Sequence, residues 1–117
     1  MTVLRIVTNV RVDDPRAAQV FYGDILNLDV VMDHGWIRTY AAPGRMTPQV
    51  SFASEGGSGT QVPDLSIEVD DVDAVHGKMI SAGFEVVYPL TNEDWGVRRF
   101  YVRDPFGRLV NILSHQV

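Results

Sequence analysis

The chain carries one order of structural signals twice. Val12-Asp13-Asp14 recurs as Val69-Asp70-Asp71, 57 positions on. Asn27-Leu28-Asp29-Val30-Val31 recurs as Gly83-Phe84-Glu85-Val86-Val87, 56 positions on. A helix start, a helix stop and the strand that follows therefore repeat in register, the mark of a duplicated supersecondary unit. The 117 residues suffice for one hydrophobic core and not for two, so both copies belong to a single domain, 1–117.

Within the first copy, residues 5–12 alternate. Ile6, Thr8, Val10 and Val12 share one face and Val7, Asn9 and Arg11 the other, the period of a strand packed on one side. Asp14 is placed to cap a helix that Pro15 opens. Ala18, Phe21, Tyr22, Ile25 and Leu26 recur at helical spacing, and Asn27 tolerates the left-handed conformation that ends a helix. Three β-like runs follow, 29–33, 36–41 and 49–53, separated by Gly35, Pro43, Gly44 and Pro48.

The second copy opens at 64–69, with Leu65, Ile67 and Val69 opposite Asp64, Ser66 and Glu68. A helix over 72–82 buries Val75, Met79 and Ile80 and stops at Gly83. Strands at 84–87, 97–103 and 109–113 close the unit, the last two joined by Asp104-Pro105-Phe106-Gly107, which has the residues of a type I turn. The expected organisation is α+β: two β-α-β-β-β modules, 1–54 and 64–117, with a flexible Gly-rich linker at 55–63. That linker is no phosphate loop, because no Gly-Lys-Ser/Thr follows it.

Composition excludes several classes. Hydrophobic residues are 45% and charged residues 21%, globular proportions that argue against disorder. No apolar run approaches the length of a membrane span, and the N-terminus has no signal-peptide pattern. Cysteine is absent, which removes disulfides and thiolate chemistry and fits a cytoplasmic location. A formal charge of −5 disfavours a nucleic-acid partner. Arg98, Arg99, Arg103 and Arg108 read as strand-face and turn residues, not as a basic patch.

Val10-Arg11-Val12-Asp13-Asp14, with Phe21-Tyr22 and the Ile25-Leu26-Asn27-Leu28 close, resembles the opening of the vicinal oxygen chelate superfamily, which includes glyoxalase, bleomycin-resistance proteins and extradiol dioxygenases. Asn27 stands where that family usually has glycine. The stretch from Trp95-Gly96 through Asp104-Pro105-Phe106-Gly107 to Asn111 resembles its closing hairpin. The resemblance implies a curved mixed sheet, helices on the convex side, a ligand cleft on the concave side, and pairing of two chains into a homodimer. The concave candidates are Asn9 and Arg11 on the first strand of one copy and Asp64, Ser66 and Glu68 on that of the other.

Enzymes of the superfamily hold a divalent metal with His, Gln and Glu side chains, and it acts as a Lewis acid. By register the four ligand positions fall on Val7, Ser51, Asp64 and Asn111, of which Asp64 alone is a good donor. His34, His76 and His115 are not spaced as metal ligands. No nucleophile elbow is present. The expectation is a metal-free protein with no cofactor and no catalytic residue, sequestering an antibiotic or another aromatic or cationic ligand. Trp36, Tyr40, Trp95, Phe100 and Tyr101 would supply flat faces, Asp64 and Glu68 negative charge, and Ser51 and Asn111 polar contacts. The alternatives are a lyase, isomerase or dioxygenase with an atypical metal site, or a scaffold with a vestigial cleft.

Overall fold

A computed structural model describes residues 4, 5, 7–44 and 51–116. The second half forms the expected β-α-β-β-β unit. Strand β3 (Leu65–Glu68), helix α1 (Val72–Ser81), β4 (Val86–Asn92), β5 (Val97–Arg103) and β6 (Leu109–His115) follow one another. Their sheet runs in the order β3-β6-β5-β4, with β3 parallel to β6 and the other pairs antiparallel. Ahead of it lie a helical segment (15–25) and a separate two-stranded antiparallel sheet, β1 (Asp29–Asp33) and β2 (Arg38–Ala41). The architecture is α+β.

Local chemistry sets the boundaries. Asp14 caps the first helical segment by accepting from Arg16 N at 3.1 Å, with Pro15 in its first turn, and Asn27 ends it at φ 58°. The segment opens as a 3₁₀ turn (Pro15–Ala18) and widens to i→i−5 bonding over Gln19–Ile25, where a plain α-helix was expected. The apolar pairs Phe21-Tyr22 and Ile25-Leu26 recur every four residues, and a turn wider than 3.6 residues keeps them on one face. At α1, Asp71 accepts from Ala74 N at 3.1 Å, Ser114 Oγ accepts from Val72 N, and Gly83 follows the last turn at φ 84°.

Both helical elements pack on one face of the four-stranded sheet. Phe21, Val72, Met79, Phe100, Val102, Val110 and Ile112 form its buried core. Phe84 meets Phe21 edge-on with centroids 5.1 Å apart. The first helical segment is also tied to the β5–β6 turn. Asp104, itself buried, accepts from Phe106 N and Arg108 N with one oxygen and from Tyr22 OH at 2.8 Å with the other. Burial, and then the Asp104 carboxylate, push the Tyr22 phenol far above its ordinary pKa, so it stays a donor.

Several expectations need correction. Residues 7–12 form no strand, although their alternation specifies one, and Ile6 lies outside the described residues. In the second half the equivalent β3 is held by parallel pairing with β6, a partner that 7–12 do not have among the described residues. Of the run 49–53, residues 51–53 are exposed and irregular and the rest lie outside the described residues. Ile80 is 55% exposed, because α1 turns Met79 and Val75 inward and leaves Ile80 at the rim. The linker is bonded to the sheet rather than loose, through Arg99 and Tyr101 of β5.

Tyr22→Phe should leave the Asp104 oxygen without its donor in a part-buried site. A loss of roughly 1–3 kcal/mol of stability is expected, read from the urea midpoint at unchanged m-value.

Candidate functional site

The face of the sheet turned away from the helices carries the polar candidates. On β3 and β6, Ser66 stands beside Asn111, and Asn111 Nδ2 donates to Ser66 Oγ at 3.1 Å. Tyr101 of β5 lies opposite Asn111, and Arg99 is two residues along. Tyr88 reaches the same face from β4, where bulges between Val86 and Tyr88 and between Tyr88 and Thr91 interrupt the alternation. Trp95, in the turn before β5, closes the edge and is 51% exposed.

Arg99 organises this face. Its side chain is 4% exposed and forms an ion pair at 3.0 Å with Glu93, whose side chain is 3% exposed. Its guanidinium carbon sits 5.0 Å from the ring centroids of Trp95 and Tyr101 and 5.3 Å from that of Tyr88, within cation–π range of all three. Nη1 donates to Gly56 O at 2.7 Å and to Tyr101 OH at 3.1 Å, and Nη2 donates to Gly57 O at 3.2 Å. The segment read as a flexible linker is thus docked on β5. Thr60 Oγ1 and Tyr101 OH share a 2.8 Å hydrogen bond, and Ser58 Oγ donates to Glu93 at 2.9 Å. A Cβ on Gly56 would fall 2.3 Å from Tyr101 OH and one on Gly57 2.7 Å from Trp95, so both positions need glycine.

Burial alone would raise the Glu93 carboxyl. Hydrogen bonds from Ser58 and Tyr88 and the charge of Arg99 outweigh it and hold the carboxyl below its ordinary range. Because the folded pKa is depressed, this contribution to stability is complete above the unfolded glutamate value, about 4.3, and is lost as pH falls through the lower folded value.

The remaining candidates divide sharply. Asp64 shares this end of β3, but its Oδ2 accepts from Leu109 N at 2.9 Å. Glu68 lies at the far end and holds His115 at 2.6 Å. Phe100 does not line the face: it is fully buried on the helix side, edge-on to His76. Tyr40 turns to the first helical segment, stacking near Tyr22 and donating to Gln19 Oε1. Trp36 is 79% exposed in the β1–β2 turn beside His34. Asn9, Arg11 and Ser51 are exposed and outside any strand. Sequence reasoning missed Arg99, Glu93 and Tyr88 as site residues. The signal available was the aromatic spacing of Tyr88, Trp95 and Tyr101 around an arginine in a strand.

The arginine cluster is dispersed by these contacts. Arg98 is bonded to Asp73 at 2.8 Å, and Arg103 donates to Gly107 O. The four positions that the resemblance marks for a metal do not suit a divalent cation. Val7 has no donor, Ser51 is exposed off the sheet, Asn111 is neutral, and the Asp64 carboxylate already serves a backbone amide. Among the described residues no three His, Cys, Asp or Glu side chains gather. None of their helices is long and apolar enough to cross a membrane.

Comparison with known proteins agrees with this architecture. The sequence model of the Glyoxalase/Bleomycin resistance protein/Dioxygenase superfamily matches residues 4–112. No curated protein matches the sequence. Among solved structures, TioX from Micromonospora sp. ML1 is 24% identical and superposes with a TM-score of 0.64, covering 97% of both chains. TnmS3, an antibiotic binding protein from Streptomyces sp. CB03234, is 23% identical with a TM-score of 0.65, over 92% of this chain and 91% of its own. Lactoylglutathione lyase from Agrobacterium tumefaciens is 21% identical with a TM-score of 0.66, over 97% and 95%. At these identities the likeness establishes the fold.

Glu93→Gln should leave the Arg99 charge buried and unpaired, costing roughly 3–5 kcal/mol near neutral pH. The gap between wild type and variant in urea midpoint should narrow as the pH drops below about 4.3. A constant gap from neutral pH downwards would show that the carboxylate charge is not what holds Arg99.

Proposed function

We propose that this chain, which belongs to the Glyoxalase/Bleomycin resistance protein/Dioxygenase superfamily, binds an aromatic small molecule and releases it unchanged, without a divalent metal. The ligand lies against the helix-free face of β5 and β6, with Trp95 as its stacking surface. The observation that carries this reading is the weakness of the metal donors there: the Asp64 carboxylate serves Leu109 N, and Ser66 and Asn111 offer only neutral oxygens. Half-exposed Trp95 offers the largest free aromatic surface at that edge. Because Asp64 and Glu68 are both engaged within the chain, the weight falls on an aromatic rather than a cationic ligand. An antibiotic is the favoured class, since TnmS3 of the same fold is an antibiotic binding protein.

The reading includes a homodimer. Val30, Val31 and Met32 of β1 are exposed, Val31 at 60%, and so are Trp36 and Phe52, apolar side chains that a lone chain leaves in water. A second copy would cover them and give residues 7–12 a strand partner. The absence of cysteine fits residence in the cytoplasm.

Elemental analysis of protein offered Zn, Ni, Mn and Fe should give far less than one metal per chain. At least one flat aromatic antibiotic should raise the melting temperature by several degrees, equally with and without chelator, and be recovered intact by mass spectrometry. Stoichiometric metal together with turnover would replace this reading by the lyase, isomerase or dioxygenase alternative. Sedimentation velocity at micromolar concentration should give a dimer, and a monomer there would remove that part of the proposal.

A further inference from the structure

Two buried polar atoms on the helix-free face have no partner among the described residues: Arg99 Nε, a donor, and Asn111 Oδ1, an acceptor. Every other nitrogen of these two side chains is engaged. Arg99 Nη1 and Nη2 serve the Gly56 and Gly57 carbonyls, Tyr101 and Glu93, and Asn111 Nδ2 serves Ser66. Both residues are more than nine-tenths buried. They stand diagonally on neighbouring strands, with Tyr101 opposite one and two residues from the other. An amide is planar, so turning Nδ2 towards Ser66 on β3 leaves Oδ1 directed away from that strand. Buried polar groups are almost always satisfied, so an unpartnered donor and an unpartnered acceptor on one face point to a ligand group that could serve both.

We propose that these two atoms form a polar subsite beneath the loop 56–60, and that it takes an uncharged group with both an acceptor and a donor, such as a primary amide or a ring hydroxyl. The inference rests on the reading that this face binds an aromatic molecule, and it names the substituent that molecule carries. The charge balance selects a neutral group: Glu93 already compensates Arg99, and a carboxylate placed at Nε would stand close to Glu93. The loop can act as the cover because it is not part of the sheet. It is closed on itself by Gly56 N to Thr60 O and Thr60 N to Gly57 O, and it is held to β5 and Glu93 by side chains. Trp95, against Gly57 at the edge of the loop, is placed to stack on the ring that bears the group.

The test compares benzamide with toluene, which has the ring without the polar group, by NMR titration of the full chain. The resonances followed are Arg99 Nε–H and the Asn111 side-chain amide. Benzamide should shift both saturably and bind at least about tenfold tighter than toluene, since it gains two buried hydrogen bonds. Asn111→Leu, close in size, should abolish that preference, so that the variant binds benzamide no more tightly than toluene. Gly57→Ala, which sets a methyl against Trp95, should loosen the loop and speed benzamide entry. Equal binding of the two compounds would overturn the subsite while the aromatic reading stands. Binding of neither would overturn both. A long-lived water on these atoms that benzamide does not displace, or a benzamide preference that survives Asn111→Leu, would also overturn the subsite.

Discussion

A buried guanidinium is the constraint on which the helix-free face depends. Arg99 sits on a central strand at 3% exposure, and a charge so placed persists only if it is neutralised and its Nη hydrogens are accepted. Glu93 supplies the charge, the carbonyls of Gly56 and Gly57 accept the hydrogens, and three aromatic rings line its surroundings. Each requirement recruits a different part of the chain. The turn before β5 must present Glu93 and Trp95, β4 must bulge to bring Tyr88 over, and the segment between the halves must cross β5 with two glycines. One side chain thereby fixes the shape of a surface built from residues 56 to 101.

The opposite face is governed by hydrophobic burial, and the two halves of the chain meet there. Phe21 is buried in the core made by α1 and the four-stranded sheet, and Tyr22 reaches Asp104 beside it. The second half satisfies its own strands, whereas among the described residues β1 and β2 pair only with each other. That asymmetry between equivalent sequences is physical. Alternation specifies which side of a strand faces a core, but a strand exists only where another strand accepts its hydrogen bonds.

Much of this was legible in the residues. Asp14, Asn27, Asp71 and Gly83 mark helix ends where the chain adopts them, β5 spans the expected run from Val97 to Arg103, and Asp104 builds the turn expected of it. The site was less legible, for identifiable reasons. In β5 both parities carry apolar residues, Val97 and Tyr101 on one and Phe100 and Val102 on the other, so period two cannot say which face meets the helices. Phe100, expected to offer a flat face to a ligand, packs in the core on the helix side instead. The linker reads as flexible because glycine brings no side chain. What fixes it are backbone carbonyls accepted by an arginine more than forty positions away, an interaction composition cannot register.

A surface organised by an internally compensated cation, with neutral donors and a half-free indole at its edge, is suited to gripping a flat molecule rather than activating one. The most direct measurement of that account is the set of intermolecular NOEs from an aromatic antibiotic bound to the isotope-labelled chain. The account predicts contacts to Trp95, Ser66 and Asn111. Contacts confined to Trp36 and Tyr40, away from β5 and β6, would contradict it.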